Sequence, residues 1–184
     1  MVQIRIHGRG GQGVVTAAEL IAMAAFRDGK QSQAFPYFGV ERTGAPIEAF
    51  VRINEQPIKT RQHIYQPDII IILDPTLPQT VDLTYGCSSK TLVIINTAKN
   101  KNQIKISLPK KNIFTVNATK IALEVIGKNL VNTVILGYFA KVTGLVSLVS
   151  LQTAILEKFA EKGSQIIEKN IAAIKKAYNY EKAN

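Results

Sequence analysis

The chain has 184 residues, 46% hydrophobic, with 23 lysines and arginines against 13 acids for a formal charge of +10; that length suits one α/β domain over residues 1–184 that buries its core without disulfides or metal. Cys87 is the single cysteine and His7 and His63 the only histidines, which excludes an internal disulfide, a cluster held by several of this chain's thiolates and any zinc spacing. The longest apolar runs, near Ile69–Leu73 and Val134–Phe139, are too short for a bilayer and Met1 leads straight into a strand without a signal-peptide pattern, so a cytoplasmic protein with no membrane contact is expected.

Val2–His7 alternates as a strand does, with His7 as its polar end. Gly8-Arg9-Gly10-Gly11-Gln12-Gly13 follows, opening a helix from Val14 to Phe26 whose Val15, Ala18, Ile21, Ala22 and Ala25 are expected to face the core. A strand, glycine turn and helix N-terminus make an anion cradle, because the first helical N–H groups lack partners and carry the positive end of the macrodipole. Val14, Val15, Thr16 and Ala17 bring no acid to offset it, and Arg9 stands beside it. The plainer reading of the glycines is a tight turn and close helix–sheet packing. Gly8, Gly10 and Gly13 also match the dinucleotide fingerprint, yet Gln31–Pro36 offers neither an acid for a ribose nor a base for a 2′-phosphate, which disfavours NAD and NADP.

Gln31–Phe35 reads as the second strand, Pro36–Ala45 as an insertion-like loop and Pro46–Ile53 as a strand; two successive strands without a helix predict a mixed sheet. Ile69–Leu73 and Thr91–Ile95 suit strands buried on both faces at the sheet centre. Asp74 and Asn96 close them, either lining a ligand crevice at the carboxyl ends or forming turns. Between these strands Cys87 sits in the loop Tyr85–Ser89 as a plain thiol. Ile104–Leu108 and Asn112–Val116 keep the strand pattern. The lysines of this stretch (Lys99, Lys101, Lys105, Lys110, Lys111) and those mixed with acids from Lys158 to Lys182 lack interleaved aromatics, so no nucleic acid is expected and an acidic protein or phosphorylated ligand suits the charge better.

The remainder is helical. Asn117 or Thr119 caps a helix through Ile126, stopped at Gly127; Asn132 or Thr133 caps another to about Val142, with Asn132 read as a cap before a ligand contact. Leu148–Lys162 and Ser164–Tyr180 follow, with stripes at Ile155, Leu156, Phe159 and at Ile166, Ile167, Ile171, Ile174 that suit core or subunit contact, including homodimerisation of the isolated chain. The predicted architecture is a Rossmann-like three-layer α/β/α fold with a mostly parallel mixed sheet, helices on both faces and a helical C-terminal part.

Three segments carry a resemblance: Gly8–Leu20; Phe35-Pro36-Tyr37-Phe38-Gly39-Val40-Glu41-Arg42-Thr43-Gly44-Ala45-Pro46; and Asn132-Thr133-Val134-Ile135-Leu136-Gly137. The chain resembles the gamma subunit of the 2-oxoacid:ferredoxin oxidoreductases, the pyruvate branch in particular, with Val40 where proline is common and Thr43 where arginine or glycine is common. The resemblance implies a share in converting pyruvate, coenzyme A and oxidised ferredoxin to acetyl-CoA, carbon dioxide and reduced ferredoxin. It implies alpha, beta and ferredoxin-like delta partners that hold thiamine diphosphate, Mg2+ and [4Fe-4S] clusters, with no cofactor bound by this chain alone and coenzyme A as substrate at a shared site. No Gly-Asp-Gly segment of the thiamine type is present, so the isolated chain is expected to be inactive. The expected cofactor-binding residues are Gly8, Arg9, Gly10, Gly11, Gln12 and Gly13 at the phosphates, with Glu41 and Arg42 reaching the ligand or a partner; an internal pair of Arg42 with Glu41 or Asp74 is the alternative. Rival functions are a stand-alone phosphate- or nucleotide-binding regulatory module, and the gamma subunit of a sister 2-oxoglutarate, 2-oxoisovalerate or indolepyruvate enzyme.

Overall fold

The computed structural model describes residues 1–37 and 43–181. Six strands form one sheet: β1 (Val2–Arg9), β2 (Gln31–Tyr37), β3 (Pro46–Asn54), β4 (Ile69–Ile72), β5 (Leu92–Asn96) and β6 (Ile113–Val116), in the order β2-β3-β1-β4-β5-β6. The mixed character expected from sequence is present. β2, β3 and β1 run antiparallel to their neighbours, and β1, β4, β5 and β6 run parallel. β2 extends through Pro36 to Tyr37. Proline is tolerated there because β2 is an edge strand, with one side free of ladder bonds.

Among the described residues are five α-helices: α1 (Val14–Arg27) between β1 and β2, and, after β6, α2 (Ala118–Val125), α3 (Val131–Thr143), α4 (Leu148–Lys158) and α5 (Ser164–Tyr178). They share one core with a single face of the sheet, the face of Ile4, Ile6, Val51, Ile71, Ile94 and Val116. The other face, carrying Ile70, Ile72, Val93 and Ile95, is covered by Leu77, Leu83, Ile104 and Ile106. The α/β class with a mixed sheet is as predicted, but this second layer is built of 3₁₀ turns and extended loops instead of α-helices. Ile104–Leu108 is part of it and pairs with no strand: Ile104 and Ile106 turn inward while Lys105 and Ser107 are exposed. Period-two alternation reports an extended segment with one covered side, and here the cover is a sheet face, not a ladder.

α1 buries Val14, Ala17, Ala18, Leu20, Ile21, Ala24 and Ala25, a face rotated from the predicted one, so that Val15 and Ala22 stay half-exposed. Asn117 caps α2 as expected, accepting from the N–H of Lys120 at 3.0 Å. Thr119 instead joins Asn96, whose amide donates to the Leu73 carbonyl and to the Thr119 hydroxyl, both at 2.9 Å, tying the ends of β4 and β5 to α2. Neither Asn132 nor Thr133 caps α3, whose N-cap position is Leu130 and which has no side-chain cap. Ile155 and Ile174 of the terminal stripes are buried, while Leu156 and Ile166 remain exposed.

Candidate functional site: the glycine-turn cleft

β1 ends against the start of β3, with Gly8 opposite Ile47 and Arg9 opposite Pro46. Gly8 is glycine because a Cβ there would meet Val14 Cγ2 at 2.5 Å. The chain then turns sharply, the N–H of Gln12 donating to the Arg9 carbonyl at 3.0 Å, with Gly11 at φ +92°. Gly13 precedes α1 in the left-handed region, at φ 72° and ψ 33°, and gives the helix no side-chain cap; the first turn has no acid. The first N–H groups of α1, those of Val14 and Val15, therefore have no intrahelical partner and carry the positive dipole end. They face a cleft of about 480 Å³ lined by Gly10, Gly11, Gly13, Val14, Val15, Thr43 and Ile47.

Gly8 to Gly13 of the predicted residues fall at this cleft or in the turn that builds it. Gly10, Gly11 and Gly13 line the cleft. The N–H of Gly10 is committed to the Ala45 carbonyl at 2.9 Å, whereas the N–H groups of the cleft-lining Gly11, Gly13, Val14 and Val15 find no acceptor among the described residues. Gln12 builds the turn: its Oε1 accepts from the N–H of Arg9 and its Nε2 donates to Asp74 Oδ2, both at 2.8 Å. Arg9 makes three hydrogen bonds, from Nε to Asp74 Oδ2 at 3.2 Å, from Nη1 to the Gly44 carbonyl at 3.1 Å and from Nη2 to Thr76 Oγ1 at 2.9 Å. Its guanidinium shapes the turn and neutralises Asp74. Glu41 and Arg42 lie outside the described residues.

Asp74, just beyond β4, is the hub of this lattice. Burial raises its pKa, but the Thr76 hydroxyl and N–H, the Gln12 amide and the Arg9 charge outweigh that and hold the carboxyl below its ordinary value. Its carboxylate is thus bound inward, in a turn with Thr76, and is not offered to a ligand.

Asn132 is the residue that local reasoning misplaced. It lies in the first turn of α3, and its amide sits so close to Gly13 that a Cβ on Gly13 would overlap it. Two uncapped helix starts, those of α1 and α3, therefore meet at Gly13. The signal was present in the pairing of an unexplained asparagine with a glycine of positive φ, but it joins positions 119 residues apart (132 − 13). Elsewhere, Cys87 is a half-buried free thiol whose pKa burial pushes up, as an unreactive cysteine requires. No group of three or more histidine, cysteine or acidic side chains able to hold a metal occurs among the described residues, and none of their helices is long and apolar enough to cross a membrane.

A sequence model of the pyruvate ferredoxin/flavodoxin oxidoreductase family matches residues 3–180. The chain is 51% identical over 181 residues to the pyruvate/ketoisovalerate oxidoreductases common subunit gamma of Thermococcus kodakarensis, covering 97% of this chain and 96% of that one. It is 53% identical over 155 residues to the pyruvate synthase subunit PorC of Methanosarcina barkeri, covering 84% and 85%. The crystal structure of the pyruvate oxidoreductase subunit PORC from Thermotoga maritima superposes with a TM-score of 0.80 at 34% identity, over 96% of this chain and 94% of that one. With a glycine-turn cleft at the start of α1 and this likeness along nearly its whole length, the chain belongs to the pyruvate ferredoxin/flavodoxin oxidoreductase family, as a gamma (PorC-type) subunit of a 2-oxoacid:ferredoxin oxidoreductase.

Proposed function

We propose that this chain forms part of the coenzyme A site of a pyruvate:ferredoxin oxidoreductase, contributes to its assembly and holds no redox centre. The observation that carries the reading is the acid-free, uncapped start of α1, whose N–H groups open on the 480 Å³ cleft. A pyrophosphate or 3′-phosphate there would accept from the N–H groups of Gly11, Gly13, Val14 and Val15 and meet the positive end of the dipole. The Asn132 amide, against Gly13, is in place to add a donor. One cysteine cannot hold a [4Fe-4S] cluster and the sequence has no Gly-Asp-Gly segment of the thiamine type, so the clusters, thiamine diphosphate and Mg2+ belong to alpha, beta and delta partners, and the isolated chain is inactive. The relative from T. kodakarensis is named as common to pyruvate and ketoisovalerate enzymes, which supports leaving the choice of oxoacid to a partner subunit.

The test is Val15→Asp in the assembled enzyme. An acid in the first helical turn complements the dipole, so the fold is retained, while the same charge repels a phosphate in the cleft. The KM for coenzyme A should rise by about tenfold or more, equivalent to roughly 1.4 kcal/mol, with the KM for pyruvate unchanged. The loss should vanish when pantetheine, which lacks the phosphates, replaces coenzyme A. An unchanged KM for coenzyme A removes the cleft from the site.

A further inference from the structure

Over its antiparallel half, the sheet face opposite the α-helices carries Arg5 and His7 of β1 and Glu48 and Phe50 of β3. Arg5, fully buried, donates from Nε to His7 Nε2 at 3.1 Å and from Nη2 to the carbonyls of Leu83 and Tyr85 at 2.9 Å. Accepting that bond fixes His7 as neutral with its proton on Nδ1. Burial, with the Arg5 charge added, pushes its pKa down to about 3. His7 Nδ1 lies 3.3 Å from Glu48 Oε1, and the Tyr85 hydroxyl donates to Oε2 at 2.9 Å. Glu48, 18% exposed at its side chain, thus contacts two neutral donors; Arg5, the buried cation of this cluster, stacks on the Tyr85 ring at 3.6 Å from its centroid and makes no ion pair with the carboxylate. Each carboxylate oxygen keeps a lone pair to offer.

Aromatic rings surround that carboxylate. The His63 ring stacks on Phe50 with centroids 5.6 Å apart, meets Tyr37 edge-on at 4.8 Å and lies 6.4 Å from Tyr65. Together with Tyr85 these side chains enclose a cavity of about 260 Å³. Gly86 makes the enclosure close, since a Cβ there would strike the Tyr65 carbonyl. Tyr37, Tyr65 and Tyr85 remain 44%, 65% and 40% exposed, an unusual density of outward tyrosine around one acid. The cavity is smaller than the roughly 300–1,000 Å³ of small-molecule pockets, so its size is that of a single side chain.

A carboxylate without a direct ion pair, in a cavity lined by Tyr37, His63 and Tyr65 beyond the Tyr85 ring that Arg5 already covers, favours a cation: aromatic rings and carboxylate both attract positive charge, and an acidic or plain apolar occupant would gain from neither. The cage also has a place in the assembly. Ile47 and Glu48 are consecutive on β3 and point to opposite faces, Ile47 lining the glycine-turn cleft and Glu48 the cage. A protein that packs against this end of the sheet meets both.

We propose that the Tyr37/His63/Tyr65/Tyr85 cage receives a lysine or arginine side chain of a partner subunit, which docks beside the coenzyme A cleft through Glu48. The inference rests on the gamma-subunit reading above. Full-length chain is titrated with the remaining subunits of its complex at low and high salt, as wild type, Tyr65→Ala and Glu48→Gln. Tyr65 is exposed, so its variant keeps the melting temperature of the free chain. Each variant should raise the dissociation constant about tenfold, and Glu48→Gln should flatten its salt dependence. Wild-type affinity in both variants overturns the cage. So does a Glu48→Gln effect confined to the stability of the free chain, which would assign the cation to the chain itself, or an effect on self-association alone, which would assign it to a second copy. A wild-type chain that binds no partner subunit overturns the gamma reading and the cage with it.

Discussion

At the scale of single residues, the glycine turn is held by one carboxylate. Asp74 is only 8% exposed and ties together Arg9, Gln12 and Thr76. Asp74→Asn removes the charge opposite Arg9 and leaves one amide NH₂ facing donors, so it should cost about 1–3 kcal/mol in urea unfolding at neutral pH. Because hydrogen bonds and Arg9 hold the folded pKa below 3.8, the carboxylate's contribution is complete above that value and is lost as pH falls through the lower folded pKa. The gap between wild type and variant should therefore be full at pH 7 and shrink only below 3.8. A gap that stays constant down to the acid limit would assign the loss to packing. The same residue also completes the argument against a dinucleotide. β1's parallel neighbour is β4, so the acid that stands at that neighbouring strand end is Asp74, and it is spent inward.

Between elements, the segment Asn132–Gly137 acts as three successive spacers on α3. Asn132 meets Gly13 of the turn, the Thr133 hydroxyl donates to Asn170 Oδ1 of α5 at 2.6 Å, and Gly137 lets α5 approach until a Cβ would overlap the Ile174 carbonyl. Gly137→Ala is a sharp test because two effects oppose. Helix propensity alone favours alanine by about 1 kcal/mol, whereas overpacking a closed helix crossing costs about 1–3 kcal/mol or more. A net loss in stability, with a lower melting temperature, is expected; a gain would mean that the helices can part freely. This segment also shows what sequence could and could not convey. The β1–turn–α1 unit, the isoleucine strands, the mixed sheet and the Asn117 cap were legible because each rests on neighbours in sequence. Asn132 was read as a cap since asparagine at a helix start usually is one, while its actual contact is with a distant glycine. Arg9 was expected beside the ligand, and nothing local revealed its tie to Asp74, 65 positions away (74 − 9). Ile104–Leu108 was misread in a related way, as a strand, although it pairs with no strand among the described residues.

For the molecule as a whole, the two faces of the sheet differ in how they answer to pH. The helical face is an apolar core stapled by Asp28, whose carboxylate accepts from Ser147 and Ser150 at the start of α4. Burial raises the pKa of Asp28, but the Ser150 and Ser147 hydrogen bonds prevail and lower it, so this staple weakens only below 3.8. The opposite face contains His7, locked neutral between Arg5 and Glu48. Between its unfolded pKa of 6.5 and its folded value of about 3, the unfolded chain carries a proton on His7 that the folded chain refuses. Stability must therefore fall with decreasing pH across that window, by up to about 1.4 kcal/mol per pH unit, and level off below it. Above 3.8 the contributions of Asp28 and Asp74 are already complete, so over the interval from 6.5 down to 4 the difference between the wild type and a variant without the imidazole reports His7. His7→Gln keeps an acceptor for Arg5 and a donor for Glu48 without a titrating group. Urea midpoints at pH 7, 6, 5 and 4 should decline more steeply in the wild type than in this variant, the slopes differing by nearly one proton. Parallel slopes would mean that the buried histidine takes up its proton in the folded state, and the neutral link from Arg5 to Glu48 would have to be abandoned.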